Sequence, residues 1–213
     1  MSQMQKIDFS LSQRILKLLT CVLICKIVVV VLVSYRDYMP PNFGSDFLQG
    51  RDRYFHGSYQ WAFYIHITSG PGSLVLGLIL LSEQFRLRFS KWHRCLGRIQ
   101  IANILLLVAP SGLWMARYAE SGAVAEAGFA VLAVATGFCA AAGWRSAVRR
   151  RFVKHRTWMS RCFVLLCSAV VLRLIGGMAT VTGVESAWLY PLTAWTSWLV
   201  PLMLFEFCRL VTK

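Results

Sequence analysis

The sequence predicts an all-α integral membrane helical bundle of about six transmembrane helices, and three observations predict it. Composition is the first: of 213 residues 57% are apolar and 15% are charged, with a mean hydropathy of +0.55. Soluble domains do not carry so much apolar surface, so lipid has to be the solvent. The second is that the apolar residues gather into runs of roughly 20, the length that crosses a hydrocarbon core of roughly 30 Å. The third is charge placement: 23 Lys and Arg against 9 Asp and Glu stand almost entirely at the ends of those runs.

The first helix is expected over 15–35, a run too long for a signal-peptide core and followed by no small-residue cleavage site, so it reads as retained. The second falls over 61–82, where Ser69, Ser73 and Gly77 allow a neighbour to approach closely. The third spans 96–117 and follows a basic segment. The fourth, over 125–144, has its own small residues, Ala130, Ala133, Ala135, Gly137 and Ala140 to Gly143. The fifth runs over 157–181 with Arg173 inside it, and the sixth over 189–208. Little chain is left for a soluble domain. The division expected is an N-terminal helix with its following loop (1–60) and a five-helix membrane domain (61–213).

Basic residues crowd the segments before the first helix, between the second and third, between the fourth and fifth, and at the C-terminus. The opposite side holds only Arg36, Arg51, Arg53 and Arg117. By the positive-inside rule the protein sits in the cytoplasmic membrane with both termini cytoplasmic. Membrane topology thus accounts for the net charge of +14, and nucleic acid is set aside as a partner. Cys21, Cys25, Cys95, Cys139, Cys162, Cys167 and Cys208 all lie in apolar runs or at their cytoplasmic ends, so no disulfide is expected. The outer loop 36–60 holds Pro40, Pro41, Gly44, Gly50 and the aromatics Tyr38, Phe43, Phe47, Tyr54, Phe55 and Tyr59. It reads as an interfacial segment with rings at headgroup depth, or as a lid over the outer mouth.

An internal repeat organises the candidate site residues. His93-Arg94-Cys95-Leu96-Gly97-Arg98 and His155-Arg156-Thr157-Trp158-Met159-Ser160-Arg161 each follow a basic loop and open an apolar helix. The second and third helices would form one hairpin and the fourth and fifth a similar one, giving a four-helix core about a pseudo-two-fold axis along the membrane normal. Three readings stand side by side. His93 and His155 would ligate one b-type haem as paired imidazoles, with Arg94, Arg98, Arg156 and Arg161 at the propionates. Alternatively the two helix N-termini and their guanidiniums bind an anion such as a lipid phosphate. In the structural reading they anchor the helices to headgroups.

His66 and Arg173 lie inside the bilayer, where a polar ring or a charge is costly without partners. Arg173 should face the interior or a wet cavity, with His66, Thr68 or helix-end carbonyls as partners and an anionic or quinone-like group as its ligand. Glu83 and Glu206 are the counter-charges expected for the basic cluster.

These residues, continued through Ala194-Trp195-Thr196-Ser197-Trp198-Leu199-Val200-Pro201 to Glu206, resemble the predicted multi-pass membrane protein family known as domain of unknown function number twenty-three-oh-six. The resemblance runs from about His66 to Glu206 and leaves the first helix and outer loop outside. It marks His66, His93, Arg94, Arg98, His155, Arg156, Trp158, Arg161, Arg173, Trp195, Trp198 and Glu206 as family-type positions and implies no activity. A weaker likeness is to transmembrane b-type cytochromes, which carry two histidine pairs where this chain shows one and a singleton. The function expected is a non-enzymatic binding or transport module with a cytoplasmic-side His/Arg site for an anionic lipid or metabolite. Its alternatives are a haem redox protein exchanging electrons with a quinone, and an accessory subunit of a membrane complex.

Overall fold

A computed structural model describes residues 3–45, 47–184 and 186–211, with side chains described from residue 18 onward. In an apolar run the backbone has no partner but itself, so it closes its own hydrogen bonds as helix. The described residues accordingly form α1 (Gln3–Tyr38), α2 (Asp52–Phe55), α3 (Ser58–Leu81), α4 (Glu83–Arg88), α5 (Ser90–Asn103), a π turn (Ile104–Val108), α6 (Ala109–Ala116), α7 (Ala123–Val148), α8 (Phe152–Leu166), α9 (Ser168–Thr182) and α10 (Leu189–Val211).

Among the described residues six stretches are long and apolar enough to cross a membrane: Leu18–Tyr38, Ser58–Leu81, Ser90–Ala116, Ala123–Val148, Phe152–Thr182 and Leu189–Val211. They fall on the six expected runs, with corrected ends. The third begins at Ser90 instead of 96 and the fifth at Phe152 instead of 157. Lys and Arg are good helix formers, so the basic segments wind into the first turns of the helices they precede.

The helices α3, α5–α6, α7 and α8 pack in cyclic order, each against the next and α8 back against α3. Outside this ring α1 lies on α3 and α9, and α10 lies on α7, α8 and α9. The fifth stretch breaks at Cys167, between α8 and α9. Its two halves behave differently. The α8 half is close to α3, α7 and α10, whereas the α9 backbone comes near α1 and α10 but, among the described residues, near neither α3 nor α7. The bundle is therefore tight at one end and, at the other, splayed on the side of α9, while α6 stays packed against α3 and α7. We call these the basic end, where the Arg-rich turns lie, and the aromatic end.

Small residues make the tight end possible. A Cβ on Gly77 would stand 2.7 Å from Phe163 Cδ2, and one on Gly143 would stand 2.6 Å from Met159 Sδ. Here Ile101, Ile104, Cys139, Ala140, Cys162, Leu165 and Trp198 form the central apolar cluster. Polar bonds cross between α3 and α5: Gln100 Nε2 donates to the Ser73 carbonyl at 3.0 Å and Asn103 Nδ2 to Ser73 Oγ at 2.7 Å.

Prolines free backbone carbonyls that other groups then satisfy. Pro71 cannot donate to the Ile67 carbonyl one turn earlier, and the Tyr35 hydroxyl of α1 donates to it instead. Tyr64 Oη donates in turn to the Tyr38 carbonyl at 2.7 Å, so α1 and α3 are clasped twice. Pro110 interrupts the third stretch, and the helix widens to a π turn just before it, with the Ala109 N–H reaching back to the Ile104 carbonyl.

At the aromatic end the loop folds inward as a cap. Leu48, Phe55 and Phe63 are completely buried, with Tyr59 beside them, and Tyr38, Phe43, Tyr54, Met115 and Tyr118 pack around this cluster. The loop's aromatics are thus packed against one another and against the ends of α3 and α6.

Candidate functional site

The expected site residues separate into two places. At the basic end, His93 and His155 occupy the same helical register: the His93 N–H donates to the Phe89 carbonyl and the His155 N–H to the Arg151 carbonyl, both at 2.9 Å, each in the first turn of its helix. The imidazoles interact electrostatically with one another, and His93 also with Arg86 and Arg94. His155 Nδ1 lies 2.9 Å from the Gly143 carbonyl. A carbonyl only accepts, so this nitrogen carries the proton and a neutral His155 keeps its lone pair on Nε2. His93 Nδ1 is buried and has no hydrogen-bond partner among the described residues.

The acidic residues here neutralise part of the basic cluster. Arg161 and Glu206 form a two-pronged pair, Nε to Oε1 at 2.6 Å and Nη2 to Oε2 at 3.1 Å, with Arg209 also on Glu206 at 3.0 Å. Arg161 lies over the Trp158 ring at 4.5 Å. Glu83 bonds Arg86 at 2.9 Å and stands 3.9 Å from Arg156. Arg94 and Arg98 are exposed and have no acidic partner among the described residues. Thus Arg161 and Glu206 satisfy each other, while Arg94, Arg98 and in large part Arg156 are left with charge to spare.

The structure puts His66 and Arg173 elsewhere, in the splayed half, where they interact electrostatically. His66 Nδ1 is 3.1 Å from Ser111 Oγ, and Ser111 Oγ donates to the Leu107 carbonyl at 2.5 Å. With the hydroxyl proton committed to that carbonyl, His66 Nδ1–H is the donor to Ser111. The ring is seated against Gly112, where a Cβ would stand 3.1 Å from His66 Cε1. The π turn therefore holds the His66 ring by its following residues. Arg173 is exposed, and its Nη1 donates to the Ala169 carbonyl of its own helix at 3.1 Å.

Sequence reasoning missed Arg51, which is 4% exposed. Its Nε donates to the Phe47 carbonyl at 2.6 Å, Nη1 to Tyr54 Oη, Tyr59 Oη and the Tyr118 carbonyl at 3.2 to 3.3 Å, and Nη2 to Glu120 at 2.6 Å. Phe47 lies under the guanidinium at 4.5 Å. Burial by itself works against its charge, but the Tyr59 and Tyr54 phenols, Glu120 and Tyr190 outweigh burial and hold the Arg51 pKa above its ordinary value. The available signal was an arginine amid the loop's tyrosines, with Glu120 in the next loop on that side. Gln100 and Asn103 were also missed, although two amides three apart in an apolar run face the spaced Ser69, Ser73 and Gly77.

Six apolar stretches whose outward faces carry exposed Leu, Val, Ile and Phe define a multi-pass membrane protein with a lipid bilayer around it. Among the described residues no group of three or more His, Cys, Asp or Glu is gathered as for a metal. The chain belongs to the predicted membrane protein family DUF2306, whose model matches residues 63–209. No curated protein and no solved structure matches it, and the likeness to b-type cytochromes is without support. The matched region covers every expected site residue and leaves α1 and most of the cap outside.

Proposed function

We infer that the protein is a binding or transport module that takes an anionic lipid headgroup or metabolite at the basic end, between His93 and His155, with the basic end facing the cytoplasm. The observation that carries this reading is the buried His93 Nδ1 without a hydrogen-bond partner, in a field made by Arg86, Arg94 and His155. A buried polar atom without a partner costs free energy, and in the tautomer that carries its proton on Nδ1 an anion satisfies both that atom and the surplus positive charge. The first turns of α5 and α8 add free backbone N–H groups of the same sign. Native mass spectrometry of the full chain in nanodiscs of mixed phosphatidylcholine and phosphatidylglycerol tests it. Retained phosphatidylglycerol that is lost when Arg94→Gln and Arg156→Gln are combined supports the site; unchanged retention rejects it.

One observation favours a second reading, axial ligation of a single b-type haem by the same pair. The His155 Nδ1–H···O=C bond to Gly143 fixes the tautomer whose Nε2 is free to ligate iron, as in most metal-bound histidines. Protein produced with ample haem would then show a reducible Soret band, abolished by His93→Ala. Colourless protein from the same preparation leaves the anion site as the sole reading.

A further inference from the structure

We propose that the splayed half contains a second site, in which Arg173, assisted by His66, binds the carboxylate or phosphate head of a single membrane amphiphile whose tail lies along α9. Arg173 stands nine residues before the end of α9, about 14 Å along the helix from its end, and hence at hydrocarbon depth. A guanidinium there is strongly unfavourable unless neutralised or hydrated. Among the described residues no carboxylate pairs with it, and its own-helix bond to the Ala169 carbonyl uses one of five donors. Contrast Arg51, which fills its donors with two phenols, two carbonyls and a carboxylate.

The space for a ligand is formed by the break at Cys167. Val170, one turn before Arg173, still packs in a cluster with Leu74 of α3, but among the described residues the α9 backbone comes close to neither α3 nor α7. Gly176 and Thr180 follow Arg173 by three and seven residues and so share its face of the helix. They line a crevice of about 670 Å³ with Gly183, Ser186, Leu189 and Tyr190. Its size is that of a pocket for a small amphiphile. A Cβ on Gly176 or Gly177 would meet nothing within 4 Å, so the approach to the guanidinium is open. His66, held through Nδ1 by Ser111, reaches Arg173 electrostatically from α3 and supplies a second polar group at the head. Arg173 stands one helical turn before Gly176, the first residue of the crevice lining, and among the described residues it interacts electrostatically with His66 and the Tyr38 phenol but with no carboxylate; a cation so placed selects an anionic head over a neutral one.

The test uses the full chain in phosphatidylcholine nanodiscs with two probes, radiolabelled palmitate and, separately, phosphatidylglycerol; which one binds separates a free carboxylate from a lipid phosphate. Saturable binding of about one molecule per chain is expected, weakened about tenfold or more by Arg173→Gln and less by His66→Leu. Because phosphatidylglycerol is also the probe for the basic end, both probes are measured in the Arg94→Gln, Arg156→Gln background, where the one molecule per chain that still binds is the one assigned to Arg173; failure at the basic end and failure here are then separately visible. No saturable binding of either probe, or full affinity in a folded Arg173→Gln protein, overturns the proposal. Should that variant not fold, Arg173→Lys decides, because it keeps the charge and loses the fork: a several-fold loss supports the site and unaltered affinity rejects it.

Discussion

At the aromatic end Arg51 is buried and every arm of its guanidinium is bonded, while at the basic end Arg161 shares one carboxylate with Arg209, and Arg94 and Arg98 are exposed with no acidic partner among the described residues. Packing runs the opposite way: α8 is wedged against α3 and α7, and α9 stands off from both. What differs is who supplies cohesion. At the basic end close helix contact holds the bundle, and part of the positive charge is left without an acidic partner among the described residues. At the aromatic end α9 departs from the ring, and an aromatic cap centred on Leu48, Phe55 and Phe63 is held by the hydrogen bonds of Arg51.

The first way to break that contrast is at the cap. Arg51→Met should lower stability by about 3 kcal/mol, since buried hydroxyls and carbonyls lose their donor, and should appear as a clear drop in Tm of the detergent-solubilised protein. Next is Gly77→Ala, which drives a methyl into Phe163 and should cost about 2 kcal/mol by the same measurement. Tyr35→Phe deletes the donor to the carbonyl that Pro71 leaves open and should cost about 1 kcal/mol. Glu206→Gln at the partly exposed ion pair should shift stability by less than about 1 kcal/mol, with an effect that shrinks further in high salt. Smallest of all, Gly176→Ala has room for its methyl and gains helix propensity, so Tm should hold or rise slightly. Equal losses at Gly77 and Gly176 would show that both halves are equally tight.

The six crossings and the pairing of Glu83 and Glu206 with the basic cluster were legible because hydropathy and charge act locally along the chain. The matching positions of His93 and His155 after basic turns were legible, and His93 lies within electrostatic reach of His155. Helix ends were misjudged because hydropathy marks where lipid begins, whereas helical hydrogen bonding continues into the Lys- and Arg-rich turns. The separation of Arg173 from the basic cluster follows from its position along the fifth run. The break at Cys167 does not: no proline or glycine marks it, and α9's departure depends on what α3 and α7 present to it. Arg51 escaped notice because its environment is assembled from Phe47, Tyr59, Tyr118 and Glu120, residues up to 69 positions away.

The clasp between Tyr35 and Ile67 gives the first helix a duty that its lying outside the family-matched range conceals. Pro71 sits within that range, yet the oxygen it strands is capped from outside it. A polypeptide begun after the cap would present a bare carbonyl to acyl chains in mid-crossing. That notch would draw in water or a foreign hydroxyl, so a shortened version should be leakier to deuterium at the amides around Ile67 than the intact chain.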